Sequence, residues 1–315
     1  MPVRSCWLRA GGRAPVAETL IELPLPLPRV DAMVNDPYST NASFGYGAGQ
    51  PKAESPPKPR IAFDACPLCR SARMATLRTA DCSRHPLYRP VVARLMTWMR
   101  CADCGHVFTD GYFSPEVAAE IFSRTNPNQQ PGAGFEQQRV ISAHIVERVA
   151  RHVADGRWLD VGFGNGSLLF TAEEWGFVPL GLDLRPATVE ALQRLGIEAR
   201  CADLSTLDEP GAFSVISLAD VLEHMAFPRD GLAAAHRLLR ADGALFVSMP
   251  HYDCAAWRLL DAANANPYWG ELEHFHNFSR RRLAALLADQ GFEVVHYGVS
   301  ERYRVCMEII ARRVS

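Results

Sequence analysis

Short apolar runs alternate with amphipathic stretches through the second half of the chain. Five runs have the length of buried strands, at 157–161, 178–183, 198–201, 213–218 and 244–249. Helical spacing of apolar positions separates most of them, at 167–175, 186–195 and 231–239. Strands that alternate with helices predict an α/β fold with a parallel sheet covered on both faces. Right-handed crossovers then place the carboxyl ends of these strands along one edge of the sheet.

Amphipathic segments also flank this core. Residues 140–149 repeat apolar positions at helical spacing and predict a helix that leads into the first strand. Ser279 is a predicted N-cap for a helix over 280–287. Two strand-like runs, 293–299 and 304–312, are joined by a tight turn near 300–301 and predict a closing pair of strands.

The chain before this core divides into three predicted parts. Residues 1–60 contain ten of the 22 prolines and predict a disordered, proline-rich tail, with a polyproline docking segment as the alternative. A small module over 61–112 follows, and then a helix with a linker or lid over 113–136. The alternating core is assigned to 137–315.

Two Cys-x-x-Cys pairs lie in the small module. Their four thiolates could hold one zinc ion in a closed tetrahedral site, which has a structural role. Gly105 directly follows the second pair and permits a tight reverse turn. Cys82 and His85 are possible substitute ligands, and free buried cysteines are the alternative to a metal site. The predicted ligands are Cys66, Cys69, Cys101 and Cys104.

Composition narrows the class of protein. The chain of 315 residues is 48% hydrophobic, which suits a globular protein with a large core. With a net charge of −2, the chain has no strong overall positive potential that would attract nucleic acid or a membrane surface. Nucleic acid is therefore not an expected partner. No stretch approaches 18 consecutive apolar residues, and no secretory signal is apparent. Nine cysteines without a disulfide pattern indicate a reducing cytoplasm.

The clearest indication of a ligand-binding site is a glycine-rich turn with an acidic residue beside it. The segment Asp-x-Gly-x-Gly-x-Gly follows the first strand, with Asp160 at the strand's end. A dinucleotide-binding turn would need glycine at 167, where serine stands, and Asp160 would repel a pyrophosphate. The acid instead suits a cationic nucleoside without phosphate, such as S-adenosylmethionine. Three further strand ends carry acids that either join this site or merely cap helices, namely Asp183, Asp203 and Asp220.

These segments resemble class I S-adenosylmethionine-dependent methyltransferases over about 140–313. The resemblance rests on Leu159–Gly166, Gly181–Asp183, Cys201–Asp203 and Asp220–His224. It implies a Rossmann-like sheet of seven strands, parallel except for a C-terminal antiparallel hairpin. It also implies that the glycine turn holds the methionine part of the cofactor, Asp183 the ribose, and Asp203 with Leu204 the adenine edge. The cofactor-binding residues so assigned are Asp160, Gly162, Phe163, Gly164, Asn165, Gly166, Asp183, Leu184, Asp203, Leu204, Ala219 and Asp220.

The acceptor side is predicted in a ring-rich, irregular stretch over 251–278, where flat aromatic side chains could line a pocket. A general base is needed only if the acceptor atom carries a proton. The candidate bases are His224, Glu273, His274 and His276, with an anchoring role for these histidines as the alternative.

A narrower resemblance concerns sugar C-methyltransferases. Two Cys-x-x-Cys pairs ahead of the core, and Glu273-His274 before Phe278-Ser279, are similar to that family. There a histidine of the Glu-His pair is implicated as the base. Asn277 stands where that family usually has tyrosine, and that family carries a further domain after the hairpin.

The sequence therefore predicts a methyltransferase that acts on oxygen or carbon of a small molecule, such as a sugar or natural-product intermediate. One alternative is an RNA or protein methyltransferase that docks through the zinc module, which requires a basic surface from the module to the pocket. The other is a cofactor-binding scaffold without chemistry, which requires a blocked pocket or one without a base.

Overall fold

A computed structural model describes residues 60–122, 129–303 and 305–314. The predicted tail over 1–60 lies outside these residues, apart from Arg60, as does part of the predicted linker or lid. The strands are β1 (Ile61–Ala62), β2 (Met74–Asp81), β3 (Leu95–Cys101), β4 (Val107–Thr109), β5 (Gly111–Tyr112), β6 (Gly156–Val161), β7 (Phe177–Asp183), β8 (Glu198–Cys201), β9 (Phe213–Ala219), β10 (Leu239–Pro250), β11 (His276–Asn277), β12 (Phe292–Val299) and β13 (Cys306–Arg313). The helices are α1 (Pro115–Phe122), α2 (Phe135–Ala150), α3 (Ser167–Glu174), α4 (Pro186–Arg194), α5 (Pro228–Leu238), α6 (Ala255–Ala262) and α7 (Arg280–Asp289).

The main sheet has seven strands in the order β12-β13-β10-β9-β6-β7-β8. Strands β10, β9, β6, β7 and β8 are parallel, so their carboxyl ends share one edge. Strand β13 runs antiparallel to β10, and β12 runs antiparallel to β13. The predicted fold class, a Rossmann-like sheet that ends in an antiparallel hairpin, is confirmed.

Helices cover both faces of this sheet and build its core. On one face, leucines of α5 and α7 pack against β9 and β10, including Leu232, Leu238 and Leu286. On the other face, α2, α3 and α4 contribute Val149, Leu169 and other apolar residues. Each fully buried side chain of this kind contributes about 1.5–3 kcal/mol. The strands are therefore held rigidly, which fixes the positions of the residues at their ends.

A second sheet joins the cysteine-containing segment to the rest of the chain. Its strand order is β11-β4-β3-β2, and β11 comes from the segment between β10 and α7. His276 pairs with Phe108 and Asn277 with Val107 in this antiparallel contact. All described residues belong to one compact unit within 53–315.

The stretch 251–278 is more ordered than the sequence predicts. It contains α6, a 3-10 turn over Pro267–Trp269, and β11. Its tryptophan rings form a hydrophobic core instead of lining a pocket, because Trp257 and Trp269 pack edge to face with each other while Trp98 of β3 packs against Trp269. All three indoles are at most 5% exposed. Sequence alone did not reveal the partner sheet that covers them.

Most predicted elements agree with the structure within two residues. Helix α5 begins at Pro228, three residues before the predicted start, since proline is favoured in the first helical turn. Strand β10 is longer than predicted and begins at Leu239. Within the described ranges, every helix is too short or too polar to cross a bilayer.

Candidate functional site

The glycine turn links β6 to α3 at the carboxyl edge of the sheet. Gly162, Gly164 and Gly166 all have positive φ, at 64°, 54° and 75°. A Cβ on Gly166 would lie 2.8 Å from Leu192 Cδ1, whereas one on Gly164 would meet nothing within 4 Å. Gly166 therefore serves packing, and Gly164 leaves the main chain open to a ligand. Asn165 braces the turn because its Nδ2 donates to the Ala133 carbonyl at 2.8 Å.

Asp160 lies beneath this turn and is 3% exposed. Its Oδ1 accepts a hydrogen bond from Ser217 Oγ at 2.5 Å, and Trp158 Nε1 donates to the same hydroxyl at 2.9 Å. Burial raises the pKa of Asp160 to about 7, against the Ser217 hydrogen bond and the charge of Arg302, which lower it. The carboxyl group is therefore poised to become charged when a cation approaches.

A narrow cleft lies over Asp160 and the glycine turn. Helix α2 supplies Gln138 and Ser142 to its wall, β9 supplies Ala219, and the β12–β13 connection supplies Arg302. The sequence predicts α2 and the hairpin but does not single out these three polar residues. The periodicity of α2 could have placed Ser142 near its buried face, while no pattern marks Arg302.

Asp220 directly follows β9 and has a strained backbone conformation. Its φ of 56° is unusual for a residue with a side chain. Ser248 Oγ donates to Asp220 Oδ1 at 3.3 Å, and Arg302 Nη1 lies 3.5 Å from Oδ2. Such strain often accompanies functional positions, because the surrounding structure must hold it in place.

The other predicted cofactor residues differ in what their side chains do. Asp183 already accepts from Arg185, with Nε at 2.8 Å and Nη2 at 2.6 Å. Asp203 caps the 3-10 turn over Leu204–Thr206 by accepting from the Ser205 amide at 2.8 Å. Leu204 is buried in the core, and Phe163 packs against Gly181, so only their main chains are available to a ligand. Leu184 is 63% exposed beside them.

Two predicted bases lie together after β9. His224 Nδ1 is 3.0 Å from the Glu273 carbonyl, which can only accept, so Nδ1 carries the proton and Nε2 has a free lone pair. The rings of His224 and His274 are perpendicular with centroids 4.7 Å apart. Burial, and then the charge of His224, lower the pKa of His274 well below its usual value. Glu273 thus contacts His224 through its main chain.

Glu223 completes this cluster and was not predicted. It is 1% exposed, and neither carboxylate oxygen has a hydrogen-bond partner among the described residues. Burial, and then the charge of Asp220, raise its pKa well above the usual range. Ligand atoms of Glu223, His224 and His274 lie within 4.8 Å of one another. Two imidazoles and a carboxylate could share a proton or hold a divalent transition metal.

His276, the remaining candidate base, is an anchor. Its Nε2 lies 2.9 Å from the Met225 carbonyl and its Nδ1 lies 3.0 Å from His106 Nε2. Both ring nitrogens are therefore engaged, and the residue is 1% exposed. The pairing of β11 turns His276 into the interior, which favours the anchoring alternative over a role as a base.

The two Cys-x-x-Cys pairs form matching turns. Sγ atoms of Cys66 and Cys104 are 3.6 Å apart, and those of Cys69 and Cys101 are 3.5 Å apart. All four lie within 4.8 Å of one another, close to the separation of about 3.8 Å in a tetrahedral zinc-thiolate site. The residue after each pair, Arg70 or Gly105, has positive φ. Cys82 instead donates to the Arg94 carbonyl, and His85 pairs with Glu271 at 2.9 Å.

The order of the seven strands, with the glycine turn and Asp160 at the carboxyl edge of the sheet, is that of a class I S-adenosylmethionine-dependent methyltransferase. Residues 135–297, more than half of the chain, match the family described as a methyltransferase domain. The chain belongs to this family, and the predicted class of enzyme is confirmed.

Curated relatives include two ubiquinone biosynthesis O-methyltransferases. The protein of Parvibaculum lavamentivorans is 33% identical over 116 residues, which cover 34% of this chain and 46% of the relative. That of Idiomarina loihiensis is 28% identical over 157 residues, which cover 46% and 64%. The chain thus spans about half the length of the curated relatives it matches.

Solved structures with similar folds include two methyltransferases with bound S-adenosylhomocysteine. The 1,6-didemethyltoxoflavin-N1-methyltransferase of Burkholderia thailandensis is 20% identical, covers 68% of this chain and 98% of its own, and has a TM-score of 0.48. The magnesium protoporphyrin IX methyltransferase of Synechocystis PCC 6803 is 18% identical, covers 59% and 90%, and has a TM-score of 0.46.

Proposed function

We propose that this protein transfers a methyl group from S-adenosylmethionine to oxygen or carbon of a small molecule. The observation that carries the proposal is a buried carboxyl group, Asp160, directly beneath a main-chain segment left open at Gly164. This donor set fits a ligand with positive charge and no phosphate. The bound cofactor supplies a methyl group that its sulfonium already activates, so the protein chiefly aligns the acceptor.

Each predicted cofactor residue has a role that its environment allows. Asp160 balances the cofactor's positive charge, while Gly162, Gly164 and Asn165 form the cradle of the methionine part. Asp183 would accept from the ribose hydroxyls, because a carboxylate has about four lone-pair sites and Arg185 uses only part of them. Apolar surface of Leu184 suits the adenine ring. The remaining contacts would come from main chain at Phe163, Gly166 and Leu204, the Asp203 carboxylate, and the Ala219–Asp220 end of β9.

His224 is the group best placed to accept a proton from the acceptor. Its Nδ1 is fixed on the Glu273 carbonyl, so Nε2 is available as a base. His274 and Glu223 border it. The main chain of Glu273 positions His224. In the alternative arrangement, a cation held by Glu223, His224 and His274 would make an acceptor hydroxyl easier to deprotonate by polarising it.

Titration with S-adenosylhomocysteine tests the cofactor assignment, and a methyl-transfer screen tests the base. We expect His224→Gln to bind S-adenosylhomocysteine normally and to lose about 100-fold or more in turnover. His236→Gln, on α5, is the matched control. A wild-type protein that does not bind S-adenosylhomocysteine would refute the function. Loss of activity under chelation that leaves the cysteine-bound zinc in place, restored by a divalent metal, would favour the cation over the free base.

An oxygen acceptor is favoured because the curated relatives are named as O-methyltransferases. A sugar or another natural-product intermediate remains the proposed acceptor class. The scaffold alternative is disfavoured, since His224 is engaged through Nδ1 alone in its contact with the Glu273 carbonyl, which leaves Nε2 as a candidate base. An RNA or protein acceptor would instead require a basic path from the cysteine pairs to the cleft.

We further propose that Cys66, Cys69, Cys101 and Cys104 hold one structural zinc ion. The support is the convergence of four thiol groups from two matching turns. A site of free thiols suits a reducing compartment such as the cytoplasm. The module over 61–112, the connecting 113–136 and the methyltransferase domain over 137–315 remain the proposed domain organisation.

A further inference from the structure

A second cleft, of about 610 Å³, lies between the cysteine turns and the start of α7. Four arginines line it, one from β3 and three from the first turn of α7, and Asp253 is the one carboxylate in its lining. With His251 neutral, the lining carries a net charge of +3. The arginines are Arg100, Arg280, Arg281 and Arg282.

Among the described residues, no acidic group lies within ion-pair distance of these four guanidinium groups. Across 60–122, 129–303 and 305–314, ion pairs within 4.0 Å involve other arginines, such as Arg229 and Arg302. Arg100 Nη2 donates instead to the Tyr252 hydroxyl at 2.5 Å, and Arg280 lies over the Tyr297 ring at 3.9 Å. Both tyrosines also line the cleft. The positive charge is therefore held in place and left unneutralised.

Folding alone does not favour this arrangement. The start of a helix carries partial positive charge, so acidic residues stabilise it and basic residues oppose it. Helix α7 has three consecutive arginines there, and its first turn contains no acid. The Nε of Arg282 is moreover buried without an acceptor. A bound anion would offset all of these costs at once.

The arginine cleft adjoins the edge where the cofactor cleft opens. Ser248 of β10 pairs with Ala219, which lines the cofactor cleft, and three residues later His251 lines the arginine cleft. The His251 amide donates to the Val305 carbonyl in the β12–β13 connection that also carries Arg302. A ligand anchored by the arginines would thus lie beside the edge of the sheet where the cofactor cleft opens.

We infer that this cleft binds a phosphoryl group of the methyl acceptor, and this inference rests on the proposed function. Guanidinium groups match phosphate oxygens in paired, directed hydrogen bonds, and tyrosine rings suit an attached ring. The charge converges in one cleft instead of following an extended surface, which favours a small phosphorylated molecule over RNA. The acceptor would then be held by its phosphate while its reactive atom points to the cofactor.

Isothermal titration with inorganic pyrophosphate tests the inference on the full chain. We expect one saturable site whose affinity falls at least about ten-fold in Arg281→Gln, because a charge-assisted hydrogen bond is lost. The control is Arg194→Gln on α4, an exposed arginine, which should bind pyrophosphate as the wild type does. Normal binding of S-adenosylhomocysteine by each variant shows that it has folded.

Three outcomes would overturn the inference. One is no pyrophosphate binding by a wild-type protein that binds S-adenosylhomocysteine, which leaves the proposed function standing. The second is equal binding by Arg281→Gln and Arg194→Gln. The third is tighter binding of a single-stranded RNA 12-mer than of pyrophosphate, with steep salt dependence, which would assign the cleft to nucleic acid. If pyrophosphate binds but S-adenosylhomocysteine does not, the proposed function fails and the cleft is not an acceptor site.

Discussion

Replacement of Asp160 by asparagine separates the ionisation of this buried carboxyl group from its packing. Asparagine keeps the shape of the side chain and can still accept the hydrogen bond from Ser217. It cannot become negatively charged, so it removes the titration and leaves the packing. We expect Asp160→Asn to stabilise the protein without cofactor at high pH and to weaken cofactor binding.

The magnitude follows from the raised pKa of Asp160. Its folded value is about 7 against an ordinary 3.8, so the folded state holds this proton more tightly than the unfolded state. The resulting stability is fully present below pH 3.8 and is lost as the pH rises through 7. The loss corresponds to about 4 kcal/mol. The free energy of unfolding of Asp160→Asn should not show this decrease as the pH rises.

Urea unfolding at pH 5 and pH 8, compared between wild type and variant, measures the part of this loss that falls above pH 5, about 3 kcal/mol. Titration with S-adenosylhomocysteine over the same range should show wild-type affinity rising up to pH 7, since a charged Asp160 attracts the ligand's amino group. The variant should bind about ten-fold or more weakly at pH 8, with little dependence on pH. Asp155→Asn, an exposed acid just before β6, is the control. Parallel pH profiles for Asp160→Asn and wild type would refute the reasoning.

Three further predictions concern stability and metal content. Metal analysis should find one zinc per chain, and Cys101→Ser should abolish it and lower the melting temperature. Arg148→Met should lower the free energy of unfolding by about 3–5 kcal/mol, because Arg148 lies 2.7 Å from the buried Glu308 carboxylate. Gly166→Ala should cost more than Gly196→Ala, since both glycines have positive φ but only Gly166 faces a side chain at 2.8 Å.

Each of these predictions has a result that contradicts it. Full stability of a protein that contains no zinc would reject a structural metal. For the ion pair, the double variant Arg148→Met with Glu308→Met is the control and should recover part of the loss; an unaltered single variant would contradict the burial argument. Equal urea midpoints for the two alanine variants would show that contact with Leu192 is unimportant.

The sequence predicts those features that depend on residues close together in the chain. The short apolar runs, the prolines at helix starts and the glycine turn predict where β6 to β10 lie along the chain. The acids at the ends of these strands mark the edge that faces the cofactor. These signals are local, because period, capping and turn chemistry act over a few residues. The same holds for the two Cys-x-x-Cys turns, whose thiol groups converge as expected.

The features it missed depend on distant contacts. Trp98 and Trp269 are far apart in sequence, yet Trp98 Nε1 donates to the Trp269 carbonyl at 2.8 Å. Glu223 was passed over because a Leu-Glu-His run does not show which side chain faces the interior. Arg302 lies in a turn whose position was predicted, but its direction depends on how β12 and β13 pack. Tertiary packing, not local pattern, determines all three.

The pairing of β11 with β4 has a consequence for how the chain acquires its structure. During synthesis the cysteine turns and strands β2 to β4 emerge first, but the edge of their sheet is not complete until β11 is made near the end of the chain. Until then, the open side of β4 is an unpaired edge that could capture a strand from another molecule. His274 is fixed two residues before the same contact. Closure of this long-range loop should therefore be a slow step in folding, and activity should appear only after it.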